Sequence, residues 1–321
     1  MRPTGQLHLG HLHGVLHNWL DLQQKYQCYF FAADWHALTT NYAQPGNIHQ
    51  QSLEMFIDWL AVGIDPSKAV LFVQSAVPSH AELHLILSMI TPLSWLERVP
   101  TYKEQKQKLH HKDLSTYGFL GYPLLQAADV LLYQANYVPV GEDQLAHIEL
   151  TREIARRFNF LYQQNTLNEP AALLTAHAKF PGTDGQKMSK SYANTISLRE
   201  EPDSVSKKIK TMPTDPARVR RTDPGNPELC PVWLLHQVYS DETTQDWVTQ
   251  GCTSAAIGCM ECKQKIIDKV IAEQQPIINK AKDFTGDKAQ LINLITQGNQ
   301  QAQEVAQNTL EKVKAVFKLM R

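Results

Sequence analysis

The chain reads as an α/β protein: a doubly wound parallel sheet followed by an all-helical C-terminal domain. Two observations predict the sheet. Short apolar runs at 28–33, 69–73 and 137–140 alternate with longer stretches of helical periodicity. Strands that alternate with helices close into a parallel sheet covered on both faces. A third observation predicts the second domain. Residues 212–231 hold five prolines and one glycine, and beyond them only helical patterns occur. The domains are therefore drawn at 1–200 and 201–321.

Taken in order, residues 8–26 open at Gly10 and continue as an amphipathic helix, with Leu12, Val15, Leu16, Trp19, Leu20 and Leu22 on its apolar faces. The run 28–33 is a short buried strand ending at Asp34-Trp35-His36. Residues 47–62 form a helix that Gly63 stops. The run 69–73 is the next strand. Helices cover 80–91, 118–134 and 142–158, with strand 137–140 between the last two. Glu201-Pro202-Asp203-Ser204 starts another helix, because proline suits a first helical turn. Beyond 232 the pattern is interrupted near Gly251, Gly258, Gly286 and Gly298. The final helix, 299–319, is polar with spaced apolar residues, and is expected to pack back on the first domain.

Composition bounds the class. Hydrophobic residues make up 43% and charged residues 20% of the chain, as in a soluble globular protein. No run of roughly 18 apolar residues occurs, so no membrane span is expected. The N-terminus lacks the apolar segment of a secretion signal, which favours a cytoplasmic location. The net charge of −1 neither requires nor forbids a nucleic-acid partner, since a basic face can hide in a balanced total. Lys207-Lys208-Ile209-Lys210 and Arg218-Val219-Arg220-Arg221 are the local basic clusters.

Two motifs carry chemistry. Gly182-Thr183-Asp184-Gly185 leads into Lys187-Met188-Ser189-Lys190-Ser191. The glycines favour a loop. Ammonium groups and hydroxyls on a loop suit a polyphosphate whose charge shifts during reaction. Near the other end stands His8-Leu9-Gly10-His11, at a helix start where the exposed N–H groups favour phosphate.

Together, in this order, the motifs resemble the two signatures of class I aminoacyl-tRNA synthetases, and the second matches letter for letter. The resemblance implies a Rossmann-like catalytic domain and a helical tRNA-binding domain. It also implies activation of an amino acid by ATP, release of pyrophosphate and transfer to tRNA. His8 and His11 would face the triphosphate, and Gly10 would let the adenine approach. Lys187 and Lys190 would grip the leaving pyrophosphate, and Ser189 would add a hydrogen bond. Arg2, Met188 and Asp143 would complete the ATP side. Mg²⁺ is implied by ATP; no protein ligand for it is identified.

The stretch from Gly121-Tyr122-Pro123 to Tyr133, followed by Val138-Pro139-Val140-Gly141-Glu142-Asp143-Gln144, resembles the tryptophanyl-tRNA synthetases. So do Asp34-Trp35-His36-Ala37-Leu38-Thr39 and His147-Ile148-Glu149-Leu150-Thr151-Arg152-Glu153. The resemblance runs from residue 2 to about 270 and implies a homodimer acting on tRNA(Trp). Carried over by position, Asp129 accepts the indole N–H, Tyr122 and Gln144 hold the α-amino group, Val138 and Val140 flank the ring, and His36 lies near the pocket. An indole has one donor and no acceptor, so a carboxylate suits it. Gln126 stands where many family members have Met, which makes that wall more polar. The resemblance also places a strand before Arg2-Pro3-Thr4-Gly5, for which the chain leaves no room. The expectation is a misassigned start or a truncated form.

Four of the five cysteines, Cys230, Cys252, Cys259 and Cys262, fall close together and end in Cys-x-x-Cys. Four thiolates can hold tetrahedral zinc or a [4Fe–4S] cluster, and spacing does not separate the two. A subset of tryptophanyl-tRNA synthetases is similar here, which implies the iron–sulfur cluster. Two rival readings remain: a tyrosine–tRNA ligase, and a synthetase-like protein that binds tRNA or nucleotide without ligating.

Overall fold

The structure, a computed structural model, describes residues 1–108, 113–174 and 180–318. The predicted end of the last helix at 319 lies outside them. Among the described residues, four strands form two parallel pairs. In one, β1 (Cys28–Ala32) runs beside β2 (Ala69–Val73), with Cys28 opposite Ala69. In the other, β3 (Tyr137–Val140) runs beside β4 (Ala171–Leu174), with Tyr137 opposite Ala171. The three predicted strands are all present. The fourth, β4, has no distinctive signal: its run Ala-Ala-Leu-Leu carries no β-branched residue, and only its pairing with β3 makes it a strand. The main chain of Met1 also lies along β1, since its amino group donates to Phe31 O at 2.7 Å and Ala33 N donates to Met1 O at 2.8 Å.

The first signature opens a helical segment in three parts: α1 (Leu9–His11), a π turn (Leu12–Leu16) and α2 (His17–Leu22). Next come α3 (Asp34–Asn41) and α4 (Ile48–Val62). The Asn47 side chain accepts from Gln50 N at 3.1 Å to cap α4, and Gly63, at φ 118°, ends it. Then follow α5 (Ser79–Ser88), α6 (Leu93–Glu97), α7 (Pro100–Lys108), α8 (Tyr117–Leu120), α9 (Tyr122–Leu131) and α10 (Leu145–Tyr162). The helix predicted at 118–134 is thus two, broken where Gly121 N donates to Tyr117 O and closes α8. The short helices α3, α6 and α7 were not predicted, because each is too brief to show a clear period. Beyond them lie α11 (Pro202–Lys210), α12 (Pro231–Tyr239), α13 (Glu242–Thr253), α14 (Cys259–Gly286) and α15 (Lys288–Val316).

Gly298 corrects the reading made of it. It does not interrupt α15, which runs straight through it. A Cβ there would lie 1.9 Å from the carbonyl oxygen of Leu71, so its absence lets α15 rest on the main chain of β2. The next residue, Asn299, accepts from Val73 N at 2.9 Å and satisfies a strand donor.

The two main cores are finished by these late helices. Leu9, Leu12 and Leu16 pack with Phe56 and Trp59 of α4 and with Ile266 and Val270 of α14. Leu83, Leu124 and Ile154 of α5, α9 and α10 pack with Ala302, Leu310 and Val313 of α15. The last helix therefore does pack back on the strand-bearing part of the chain, as expected. Among the described residues no helix is long and apolar enough to cross a membrane.

Candidate active site

Folding brings the two motifs together across more than half the length of the chain. His8 forms an antiparallel bridge with Ser197, just past the lysine-serine loop, and Leu9 N donates to Ile196 O at 3.0 Å. Lys190 Nζ donates to Gly5 O at 2.9 Å and to Thr4 O at 3.2 Å. A Cβ on Gly10 would meet the His8 ring at 3.0 Å and Met188 Cβ at 3.5 Å, so this glycine lets ring and loop close over the helix start. The His8 and His11 rings sit 3.9 Å apart between centroids. His8 N donates to His11 Nδ1 at 3.2 Å, which leaves Nε2 of His11 carrying the proton.

Both histidines are neutral at physiological pH. Burial first, then the Lys190 ammonium, brings His8 down to about 4. Burial, then His8 and Lys190, brings His11 down to about 3. They can therefore donate hydrogen bonds to a triphosphate without adding charge. Burial also lowers Lys190 to about 8, against the nearby Asp58 carboxylate. His8 Nδ1 is buried without a hydrogen-bond partner. Lys187 and Arg2 are exposed, Ser189 is half-buried and Met188 is buried.

The loop itself is shaped by Asn194, which sequence reasoning missed. This residue is 2% exposed. Its Oδ1 accepts from Ser189 N at 2.7 Å, and its Nδ2 donates to Asp184 Oδ1 at 2.7 Å and Lys187 O at 3.1 Å. Gly182 has no room for a Cβ beside it, at 2.3 Å from Nδ2. One side chain thus ties both ends of the loop. Nothing in a single Asn after a lysine-serine motif signals this.

The second group surrounds Asp129, which is 5% exposed. Oδ2 takes His36 Nε2 at 2.8 Å; Oδ1 takes Gln74 Nε2 at 2.7 Å and His80 Nδ1 at 2.7 Å. His80 Nε2 in turn meets Tyr133 Oη at 2.8 Å. Burial alone would raise this carboxyl, but hydrogen bonds and charge from His36 and His80 hold it well below the usual range. Oδ2 accepts one bond where Oδ1 accepts two, so Oδ2 retains a free acceptor direction. Gln74 and His80 escaped the sequence reading because they lie some fifty residues before Asp129 and outside any motif.

Tyr122 Oη meets Thr101 Oγ1 at 2.9 Å, and Thr101 Oγ1 meets His147 Nε2 at 2.5 Å. Burial lowers His147 to about 4. Val140 is buried, while Val138 and Gln126 are half-buried. Gln144 Nε2 donates to the exposed Asp143 at 3.0 Å. Thr101 is a further residue without a sequence signal.

These neutral histidines make acid stability predictable. His8, His11 and His147 titrate lower when folded than their ordinary 6.5. The unfolded chain therefore takes up protons first as pH falls. Stability should be intact above about pH 6.5 and decline toward pH 4, by at most about 1.4 kcal/mol per pH unit for each histidine. Urea midpoints at pH 7.5, 6 and 5 check this; a flat midpoint contradicts it.

The four late cysteines line one pocket, together with Arg218, Trp233 and Lys263. Arg218 Nη1 lies 3.6 Å from Cys252 Sγ, and His236 Nε2 lies 3.2 Å from Cys262 Sγ. Burial, then its sister thiols, pushes Cys262 up to about 12. Among the described residues, however, no group of three or more His, Cys, Asp or Glu is arranged to hold a metal ion. The basic clusters are only partly free. Arg218 is buried and donates to Ile257 O at 2.5 Å, and Lys208 donates to Thr195 O at 2.8 Å, which leaves Arg220, Arg221, Lys207 and Lys210 exposed.

Comparison with known proteins fits this geometry. Residues 1–274 match a family profile described as tRNA synthetases class I (W and Y). A tryptophan–tRNA ligase of Thermotoga maritima is 52% identical over 322 residues, covering 100% of this chain and 98% of its own. One from Ralstonia nicotianae is 51% identical, covering 99% and 97%. A crystal structure of tryptophanyl-tRNA synthetase from Campylobacter jejuni complexed with ADP and tryptophan superposes with a TM-score of 0.89 at 32% identity, covering 99% and 98%. The match of the profile over most of the chain, with both of its motifs meeting at one place in the fold, makes this chain a member of the class I tRNA synthetases of the tryptophan and tyrosine family.

Proposed function

We propose that the protein is a tryptophan–tRNA ligase. It joins tryptophan to ATP as tryptophanyl-AMP, releasing pyrophosphate, and then transfers tryptophan to tRNA(Trp). Full-length identity of about half to two tryptophan–tRNA ligases carries the choice of amino acid. The buried Asp129 supports it, since an ionised carboxylate with an open acceptor direction suits the single N–H of indole. Tyr122 and Gln144 hold the α-amino group, Val138 and Val140 flank the ring, and His36 and Gln126 complete the wall.

Activation is an in-line displacement. The tryptophan carboxylate, already ionised, attacks the α-phosphorus, and the bond from that phosphorus to the bridging oxygen breaks. The electron pair leaves with pyrophosphate. No strong base is needed, so positioning and charge stabilisation do the work. His8 and His11 donate neutral hydrogen bonds to the triphosphate. Lys187 and Lys190 take up the growing charge on pyrophosphate, Ser189 adds a hydrogen bond, and Arg2, Gly10, Met188 and Asp143 shape the nucleotide side. Mg²⁺ would enter with ATP, its phosphates providing the ligands.

ATP–pyrophosphate exchange tests this reading, with tryptophan, tyrosine or phenylalanine as sole amino acid. Exchange should depend on tryptophan alone. Tyrosine-driven exchange would move the protein to the sister activity, and nucleotide binding without exchange would make it a non-ligating relative.

Residues 1–200 serve as the catalytic domain and 201–321 as the tRNA-binding domain of a cytoplasmic enzyme. A homodimer is favoured by exposed Leu85 on α5, by exposed Met89 just past its end, and by exposed Leu93 at the start of α6. The cysteine pocket takes a [4Fe–4S] cluster, with zinc as the alternative metal. Cys230, Cys252, Cys259 and Cys262 supply four thiolates, and Arg218 and Lys263 offset the negative charge of such a centre. Protein purified without oxygen should be brown, absorbing near about 400 nm. A colourless protein with one zinc per chain would reverse the choice, and metal-free protein would remove it.

A further inference from the structure

The nucleotide-side motifs are gripped from the helical side of the molecule. His13 sits in the π turn, two residues past the first signature. Its Nε2 lies 3.2 Å from Glu273 Oε2 on α14 and 3.1 Å from Tyr239 Oη at the end of α12. Tyr239 Oη donates to the same Glu273 oxygen at 2.7 Å. The His13 ring stacks on Phe180, with centroids 4.7 Å apart and planes at 16°. Phe180 O in turn accepts from Met188 N at 2.9 Å, inside the lysine-serine loop. The residue after Glu273, Gln274, is 1% exposed, and its Nε2 donates at 2.6 Å to Ser197 O, the bridge partner of His8.

A π turn interrupts the regular helical ladder and is kept where outside contacts hold it. Here those contacts come from α12 and α14. Both helices also start at the cysteine pocket: Cys230 precedes α12, and Cys259 and Cys262 stand in the first turn of α14. From Cys262 to Glu273 is about 16 Å of continuous helix.

We propose that His13, Tyr239 and Glu273 are positioning residues that set the first signature and the lysine-serine loop in register from the helical side. The inference rests on the reading of those motifs as the ATP site. Displacing α12 or α14 shifts His13, and through Phe180 shifts the loop. Asp129 and its histidines lie outside this cluster, so tryptophan binding is left alone.

The test uses the full chain in ATP–pyrophosphate exchange, titrating ATP and tryptophan separately. In Tyr239→Phe and Glu273→Gln, kcat should fall about tenfold or more while KM for tryptophan stays within about twofold. His13→Gln, which keeps an N–H donor at the Nε2 position, should recover most of the rate that His13→Ala loses. A double His13→Ala/Glu273→Gln variant should be no slower than its worse single variant, because the residues act as one unit. Thermal unfolding of each variant should stay close to that of the parent. Exchange in Tyr239→Phe and Glu273→Gln within about twofold of the parent overturns the inference. So does a rise in both KM values in step with a fall in Tm, which marks a packing role. Should Glu273→Gln fail to fold, Tyr239→Phe, which removes one oxygen, decides alone. Absence of exchange in the unmodified chain defeats the functional reading and this inference with it; normal exchange in Tyr239→Phe defeats this inference only.

Discussion

Asp129→Asn should lower kcat/KM for tryptophan in ATP–pyrophosphate exchange by about 10³-fold, or about 4 kcal/mol of transition-state stabilisation. The reason is local. The carboxylate offers up to four acceptor directions, and His36, Gln74 and His80 occupy three of them. An amide offers one acceptor oxygen and turns two N–H donors toward groups that are themselves donors. Either the histidines rearrange or a buried donor is left unpaired, at roughly 1–3 kcal/mol for each such group. With the amide nitrogen at the Oδ2 position the direction proposed for the indole N–H is lost; with it at the Oδ1 position Gln74 and His80 lose their acceptor. KM for ATP should change little, because His8, His11 and Lys190 make no hydrogen bond to this network. Steady-state exchange with each substrate varied in turn measures both. An unchanged kcat/KM for tryptophan would remove Asp129 from recognition. His80→Phe should show a milder form of the same defect, since it deletes one donor and leaves the carboxylate in place.

Gly298→Ala should destabilise the fold, by about 3 kcal/mol or more, where the same change in an ordinary exposed helix stabilises by about 1 kcal/mol. The sign reverses because the new Cβ would lie 1.9 Å from the Leu71 oxygen and 2.8 Å from its carbonyl carbon. Both are main-chain atoms of β2, so no rotamer relieves the clash. Helix α15 has to lift away. That breaks the bond from Val73 N to Asn299 and loosens Ala302, Ala306 and Leu310 from the core beneath them. Gly298→Val should leave little folded protein. Urea unfolding, followed by the midpoint at unchanged slope, gives the number. A stabilised or neutral alanine variant would mean that the helix does not rest on the strand this closely.

Much of this protein was determined by sequence alone. The three predicted strands, the helix ended by Gly63 and the helix started at Pro202 appear where period, glycine and proline place them, because these are local backbone effects. The two signatures were legible for another reason: in this order they resemble those of class I aminoacyl-tRNA synthetases, although Lys and Ser at that spacing, taken alone, equally suit a solvated loop. For Asp129 the apolar helix around it predicted burial, and it is buried. The tertiary structure alone decided what lies far apart in the chain. Asn194 as the tie of the loop, His80 and Gln74 on Asp129, and Glu273 and Tyr239 on His13 are single polar residues with no periodic or motif signal. Each acquires its role only from the partner that folding brings within hydrogen-bond reach. Gly298 makes the same point for the backbone. In sequence a glycine is a break, but on the surface of β2 the missing side chain is what lets a helix approach.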